Sequence, residues 1–314
     1  MRIALIGPGI KEIPPKGWGA VESVVWDYFL NLKKINHDVT IINTPRQGEI
    51  IKKVNKEKYD IVHIMYDDHI SITSRIKHGK ILYTTHFAYL TSPELKTKYN
   101  GYYVNFFRKA IKYGNKIYIN ALSQEIKNIY VREGFPEDRI RVLRNGARED
   151  KFRFDKECKF KEKSIYLAKI EERKQQYKYQ NIKGLEFAGN FHDSSFDKNN
   201  KNYLGEWSKD FLYDNLTNYA NLILLSDGEA DPLVVKEALI AGLGVVVSEC
   251  AKANLDLTKD FIDVINDENL KDLEEIIIKN REISISKREE IRQYALENFS
   301  WVKVVEDYNK LLPN

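Results

Sequence analysis

Cysteine is scarce in this chain: Cys158 and Cys250 are the 2 among 314 residues, with no CxxC spacing and no histidine cluster beside either. That argues against a disulfide framework or a structural zinc site and for a reducing, cytoplasmic setting. Charge of one sign is equally lacking. The 50 Lys and Arg against 46 Asp and Glu leave a net charge of +4, too little to argue for nucleic acid without a local basic patch. No apolar run reaches the ~20 residues of a membrane-spanning helix. The opening MRIALIGPGI is too short for a signal peptide and is broken by Gly7-Pro8-Gly9. No internal repeat or low-complexity tract is visible.

What is present is an alternation. With 43% apolar and 31% charged residues the chain has the balance of a soluble globular protein. RIALIG (2–7), DVTIINT (38–44), DIVHIMY (60–66), KILYTTH (80–86), KIYINALS (116–123) and RIRVLRN (139–145) read as strands. Helical patterns at 20–35, 48–56, 100–113 and 125–134 separate them. After a polar, charged stretch, NGAREDKFRFDKECKFKEK, the pattern restarts with SIYLAKI, GLEFAGN, NYLGE, NLILLS and GVVVSE, a helix over 232–242, a late strand DFIDVIN and two C-terminal helices. Continuous apolar strands alternating with helices predict an α/β protein of two doubly wound parallel-sheet, Rossmann-like domains facing across a cleft. The boundary is placed at 150, giving 1–150 and 151–298. In such sheets ligands bind at the carboxyl ends of the strands.

The stretch SDGEADPLVVKEALIAGLGVVVSE carries the chemistry. Asp231 before Pro232 reads as a helix N-cap followed by proline at the first helical position. The Leu233 and Val234 amides then lie in the first turn without intrahelical partners, a ready site for an anion such as a phosphate. Glu229 falls in the loop at the strand's carboxyl end and Glu237 in the helix that follows. Phosphate on the amides, one carboxylate towards a sugar and one towards ribose hydroxyls would suit a nucleoside diphosphate sugar. Alone, the same residues also describe a capped surface helix.

The Glu-x7-Glu element followed by ALIAGLGVVVSE resembles the signature of the retaining glycosyltransferases of family 4, whose fold is GT-B. The likeness runs over nearly the whole chain. IGPGIKEIPPKGWGAVESVVWDYFLNLKKINHDVTIINT is similar to that family's opening strand, glycine loop and first helix, YDIVHIMYDDH to its DVVHxH strand, and ALSQEIKNIYVREGFPEDRIRVLRNGAREDKF to the passage leading into its second domain. ENFSWVKVVEDYNKLL is like its C-terminal helix, so that 299–314 is expected to cross back onto the first domain.

The resemblance implies a nucleotide-sugar donor, UDP- or GDP-linked, held mainly by the second domain, and a hydroxyl acceptor in polysaccharide, glycolipid or glycoprotein synthesis. In place of the family's Arg and Lys in GRL…KG, AKIEERKQ keeps the five-residue step with Lys169 and Lys174, while Ala168 and Gln175 replace the glycines. Gly17 and Gly19 open the first helix, where glycines let a ligand approach the backbone; with no GxGxxG, an NAD fingerprint is unsupported. His86 falls where the family has a TxHD histidine near the transferred sugar, with Phe87 replacing the acidic neighbour. Glu229 is implied to orient the sugar and stabilise charge at the reacting carbon, and Glu237 to anchor the ribose; His63 and His69 read as structural. No metal and no cofactor are expected, despite Asp67-Asp68. The basic, aromatic stretch 95–117 lacks acidic residues. It reads as an amphipathic helix or as a peripheral contact with an anionic inner membrane face and a lipid-linked acceptor. A DNA-modifying glycosyltransferase and an inactive GT-B-like scaffold are the competing readings, with nucleic acid disfavoured.

Overall fold

The computed structural model describes residues 1–17, 19–91 and 101–311. Trp18 and residues 95–100 of the basic aromatic stretch lie outside the described residues. The chain divides into two units, Met1–Asn145 with Trp301–Asn314, and Gly146–Ser300.

The first unit is built on six strands, β1 (Arg2–Ile6), β2 (Asp38–Ile42), β3 (Ile61–Ile64), β4 (Lys80–Tyr83), β5 (Ile117–Ala121) and β6 (Ile140–Val142). They pair in the order β2-β1-β3-β4-β5-β6, all parallel. β3 is buried at every position, because helices cover both faces of a parallel sheet. The helices are α1 (Ala20–Lys34), α2 (Gln47–Glu57), α3 (Tyr102–Lys112) and α4 (Gln124–Arg132). In α1 the buried Val24, Tyr28 and Leu32 fall one turn apart and form a single inward stripe. Ser123 caps α4, its hydroxyl accepting from the Ile126 amide at 3.2 Å.

The second unit has β7 (Phe160–Leu167), β8 (Leu185–Ala188), β9 (Tyr219–Leu224), β10 (Gly244–Ser248) and β11 (Ile262–Ile265). Their order is β11-β10-β9-β7-β8, again all parallel. From β7 the chain adds β8 on one side, then returns to place β9 on the other. That reversal between β7 and β9 is the topological switch point, where the loops leaving two adjacent strands diverge and leave a crevice. The helices are α5 (Gln176–Tyr179), α6 (Lys209–Asn215), α7 (Leu233–Ile240), α8 (Leu273–Ser286) and α9 (Arg288–Phe299). α7 is buried nearly all round. Gly244 opens β10 under α8; a Cβ there would stand 2.1 Å from Ser284 Oγ and 2.8 Å from Phe261 O, so only glycine admits the close packing.

The last helix, α10 (Trp301–Leu311), belongs to the first unit. Its Trp301, Val304, Val305 and Tyr308 are buried, and the Tyr28 ring of α1 lies 4.9 Å from Trp301 and 5.2 Å from Tyr308.

Three expectations are corrected. NYLGE is not a strand: Tyr203 forms one isolated bridge to Phe187, and the backbone then turns at Gly205, φ +76°. The C-terminal helices number three among the described residues, because the chain breaks at Lys287 and again at Ser300. The charged segment after Asn145, by its polarity and lack of periodicity the best linker candidate, is packed against the fold, since Ala147, Phe152 and Cys158 are buried.

Candidate functional site

The loops leaving β7 and β9 are laced together at the switch point. The Arg173 carbonyl accepts from the Asp227 amide at 2.8 Å. The buried Tyr166 hydroxyl donates to the Lys174 carbonyl at 2.5 Å and accepts from the Leu225 amide at 2.9 Å. The Arg173 guanidinium donates to the Gly228 carbonyl. These links hold the two loops in register without strand pairing.

Glu229 lies at the centre of this lacing and is 8% exposed. Its Oε1 pairs with Lys174 Nζ, lies 3.4 Å from Arg173 Nη1 and accepts from Ser226 Oγ at 2.7 Å. Glu171 bridges outward, 2.8 Å from Arg173 Nη2 and 3.2 Å from Lys169 Nζ. Burial alone would raise the Glu229 carboxyl, but Lys174 and Arg173 outweigh it and hold it below the usual range. Glu171 behaves likewise: burial opposes ionisation, and Arg173, Lys169 and Lys174 together bring its pKa down. The site is thus a compact group of cations whose charge is met by two ionised carboxylates.

Beyond Glu229 the loop enters α7. The helix starts one residue later than the sequence suggests, with Pro232 at the N-cap and no side chain capping it. Asp231 is not the cap. Its carboxylate is buried in an ion pair with Lys236 and accepts from Asn254 Nδ2 at 2.9 Å. The correction has a physical reason: a partner five residues on outcompetes the local amides. The Leu233 and Val234 amides therefore donate to no acceptor among the described residues, as expected of first-turn groups. Glu237 is half-buried further along the same helix, its Oε1 3.9 Å from Lys209 Nζ.

Of the residues expected to act together, the structure gathers Lys169, Lys174, Glu229, Leu233 and Val234 at one end of the second sheet, with Glu237 on the adjoining helix. Arg173 was missed. The sequence did hold a signal, since the guanidinium absent at 169 recurs at 173, beside Lys174.

Gly17, Gly19 and His86 belong to the first unit. Gly19 precedes α1; a Cβ on it would lie 3.1 Å from both Glu22 Oε2 and Pro15 Cβ. Gly17 sits in the preceding bend. His86 follows β4 and is half-buried, and its Nε2 is shielded from water with no partner among the described residues. Burial lowers its pKa to about 4, so the ring is neutral at pH 7. His63 is a packing residue, donating or accepting at 2.8 Å with Thr84 Oγ1 and stacking on Tyr308. Asp67 and Asp68 accept from the hydroxyls of Tyr83 and Tyr102. Among the described residues no group of three or more metal-ligating side chains converges, and no helix is long and apolar enough to cross a membrane.

Two all-parallel α/β sheets, one in each unit, are the sheet arrangement of the GT-B fold. The family model Glycosyltransferase Family 4 matches residues 39–151. The chain is similar to HepE of Anabaena, solved in complex with UDP and glucose: TM-score 0.73, 13% identity, with 99% of each chain covered. It is also similar to sucrose-phosphate synthase of Thermosynechococcus elongatus, with TM-score 0.76, 13% identity and coverage of 99% and 98%. The lipopolysaccharide outer core galactosyltransferase WaaB in its apo form gives TM-score 0.67 at 16% identity, with 99% and 100% covered. No curated protein matches the chain in sequence. The fold is therefore GT-B, and the family resemblance read from the motifs is met over 39–151.

Proposed function

We propose that the protein is a retaining glycosyltransferase that moves a sugar from a UDP- or GDP-linked donor to a hydroxyl acceptor, without a metal. The observation that carries this reading is the union of Lys174, Arg173 and Glu229 at the switch point with the open amides of Leu233 and Val234. A donor diphosphate set against these amides meets cations on the neighbouring loop, which neutralise charge growing on the leaving phosphate. Lys169, 30% exposed at its side chain, supplies a further cation. As the diphosphate binds it competes with Glu229 and Glu171 for these cations. The freed Glu229 carboxylate then faces the sugar and stabilises positive charge at the reacting carbon. Glu237 anchors the ribose, and neutral His86 serves as a hydrogen-bonding group towards sugar or acceptor. In a front-face transfer the departing phosphate takes the acceptor's proton, so no protein nucleophile is required. That HepE holds UDP and glucose on the same fold at 99% coverage supports the donor class.

The test is isothermal titration with UDP, GDP and ADP, followed by assay of slow donor-sugar hydrolysis in the wild type and in Glu229→Gln. Binding of one nucleotide and loss of hydrolysis in the variant are expected. No binding to any of the three would favour the scaffold reading.

The acceptor reading rests on α3. Its Arg108 and Lys112 are exposed, Tyr102 is 47% exposed, and Tyr103 stacks on Phe87 at 4.4 Å. Exposed basic side chains with an exposed tyrosine on one helix suit a lipid-linked acceptor at an anionic surface. Co-sedimentation with phosphatidylglycerol vesicles, but not with neutral ones, is expected at low salt. Indifference to vesicle charge would remove the membrane contact, and salt-dependent duplex DNA binding would revive the DNA-modifying alternative.

A further inference from the structure

A buried ion pair is a costly element at this position. The side chains of Lys236 and Asp231 are both 0% exposed. Nothing at the surface requires either charge, and hydrophobic residues of similar volume in such pairs often leave stability equal or higher. Lys236 Nζ also lies 3.4 Å from the Ala253 carbonyl and 5.7 Å from the Phe299 ring centre, and Asn254 adds its amide to Asp231.

The position of Asp231 explains what the pair achieves. It precedes Pro232, which has no N–H, so the first amide within reach of its carboxylate is that of Leu233, two residues on. Aspartate in this place ordinarily turns onto that amide or the next, closing an Asx-turn and capping the helix. A carboxylate so placed would occupy the donors that an anionic ligand needs and would repel that ligand. Here Asp231 is drawn inward instead, and the Leu233 and Val234 amides stay open.

We infer that Lys236 is a positioning residue for the donor site: by holding the Asp231 carboxylate inside the fold, it keeps the first amides of α7 available to the donor's phosphate. The inference rests on the donor reading above and adds a determinant to it. Lys236 touches no substrate. It acts through Asp231, and it converts a self-capped helix start into an open anion site.

The experiment measures affinity for whichever of UDP, GDP and ADP the wild-type protein binds, with thermal melting followed in parallel. Lys236→Met releases Asp231 and is expected to weaken nucleotide binding by about tenfold, the scale of helix-terminal charge effects. Adding Asp231→Leu removes the competing carboxylate and is expected to restore affinity to within about twofold of wild type. A pair that only staples α7 to the Ala253–Asn254 turn would show no such rescue. Should Lys236→Met fail to fold, two neutral double variants carry the test. Lys236→Met with Asp231→Asn retains a capping group and is expected to bind more weakly than Lys236→Met with Asp231→Leu. Equal affinity in Lys236→Met and wild type, or in the two double variants, overturns the inference alone. A wild-type protein that binds none of the three nucleotides overturns the donor reading itself.

Discussion

Lys174 and Glu229 leave adjacent parallel strands, 55 residues apart in sequence, and meet in a buried ion pair at the switch point of the second sheet. The pair joins the loop after β7 to the loop after β9, and each partner depends on the other for its charged state. Removing either charge strands its partner in a poorly solvated place, a situation that destabilises proteins by several kcal/mol.

Glu229→Gln is accordingly expected to lose both chemistry and stability. Transfer from the donor should fall roughly 100-fold or more, as when a group that stabilises developing charge is removed. The variant should also unfold more easily by about 3 kcal/mol, because Lys174 keeps its burial without its carboxylate. Urea unfolding reports the second effect, and a hydrolysis assay well below the melting temperature isolates the first. Wild-type activity in a folded variant would remove the catalytic role.

Acid should weaken the second unit for a related reason. Glu229 and Glu171 both lie below the ordinary value of 4.5, against burial and because of their cations. A depressed carboxyl contributes stability that is complete above the unfolded pKa and is lost as pH falls through the folded one. Unfolding free energy is therefore expected to hold at neutral pH and to decline below about pH 4.5. The decline should be shallower in Glu171→Gln. A second unit equally stable at pH 6 and pH 3 would contradict the ionised cluster.

The first unit carries two opposed titrations, one on β3 and one in the turn that follows it. Burial lowers His63 from 6.5 to about 3, so the unfolded chain takes up a proton before the folded one, and stability falls as pH drops below 6.5. Burial raises Asp67 from 3.8 to about 6, so here the folded form protonates first, and stability rises as pH falls from about 6 towards 3.8. His63→Gln should flatten the acid-side loss in thermal melts of the protein, and Asp67→Asn should steepen it. Identical pH profiles in both variants and wild type would show that neither group is as secluded as its surroundings imply.

The features legible in the sequence were those set by local pattern. Apolar runs such as NLILLS and GVVVSE gave the buried strands, and one-turn spacing in α1 gave its inward stripe. The Glu-x7-Glu stretch marked the loop and helix of the candidate site. What escaped depended on partners remote in the chain. Asp231-Pro232 is a sound local cap signal, yet Lys236 and Asn254 redirect the carboxylate. NYLGE has a strand's composition, but beside β8 it forms one isolated bridge, Tyr203 to Phe187, rather than a ladder. Arg173 reads as one charge in a polar run until the β7–β9 adjacency brings it to Gly228 and Glu229.

Arg173 is where that adjacency has its sharpest consequence. A guanidinium offers a planar fork that can grip two phosphate oxygens, whereas an ammonium acts as a point charge. Arg173 already spans Glu171 and Glu229 with its two terminal nitrogens, the geometry a diphosphate would exploit. Its side chain is 20% exposed, against 30% for Lys169, so its interactions are less screened by water. Arg173→Ala is expected to weaken nucleotide diphosphate binding by about tenfold or more, and Arg173→Lys to restore only part of that loss. Lys169→Ala should cost less than either. Titration calorimetry with the nucleotide that the wild type binds gives the ranking directly. If Lys169→Ala proves the most damaging of the three, the diphosphate sits further out along the loop, and Arg173 serves to lace the loops rather than to hold the donor.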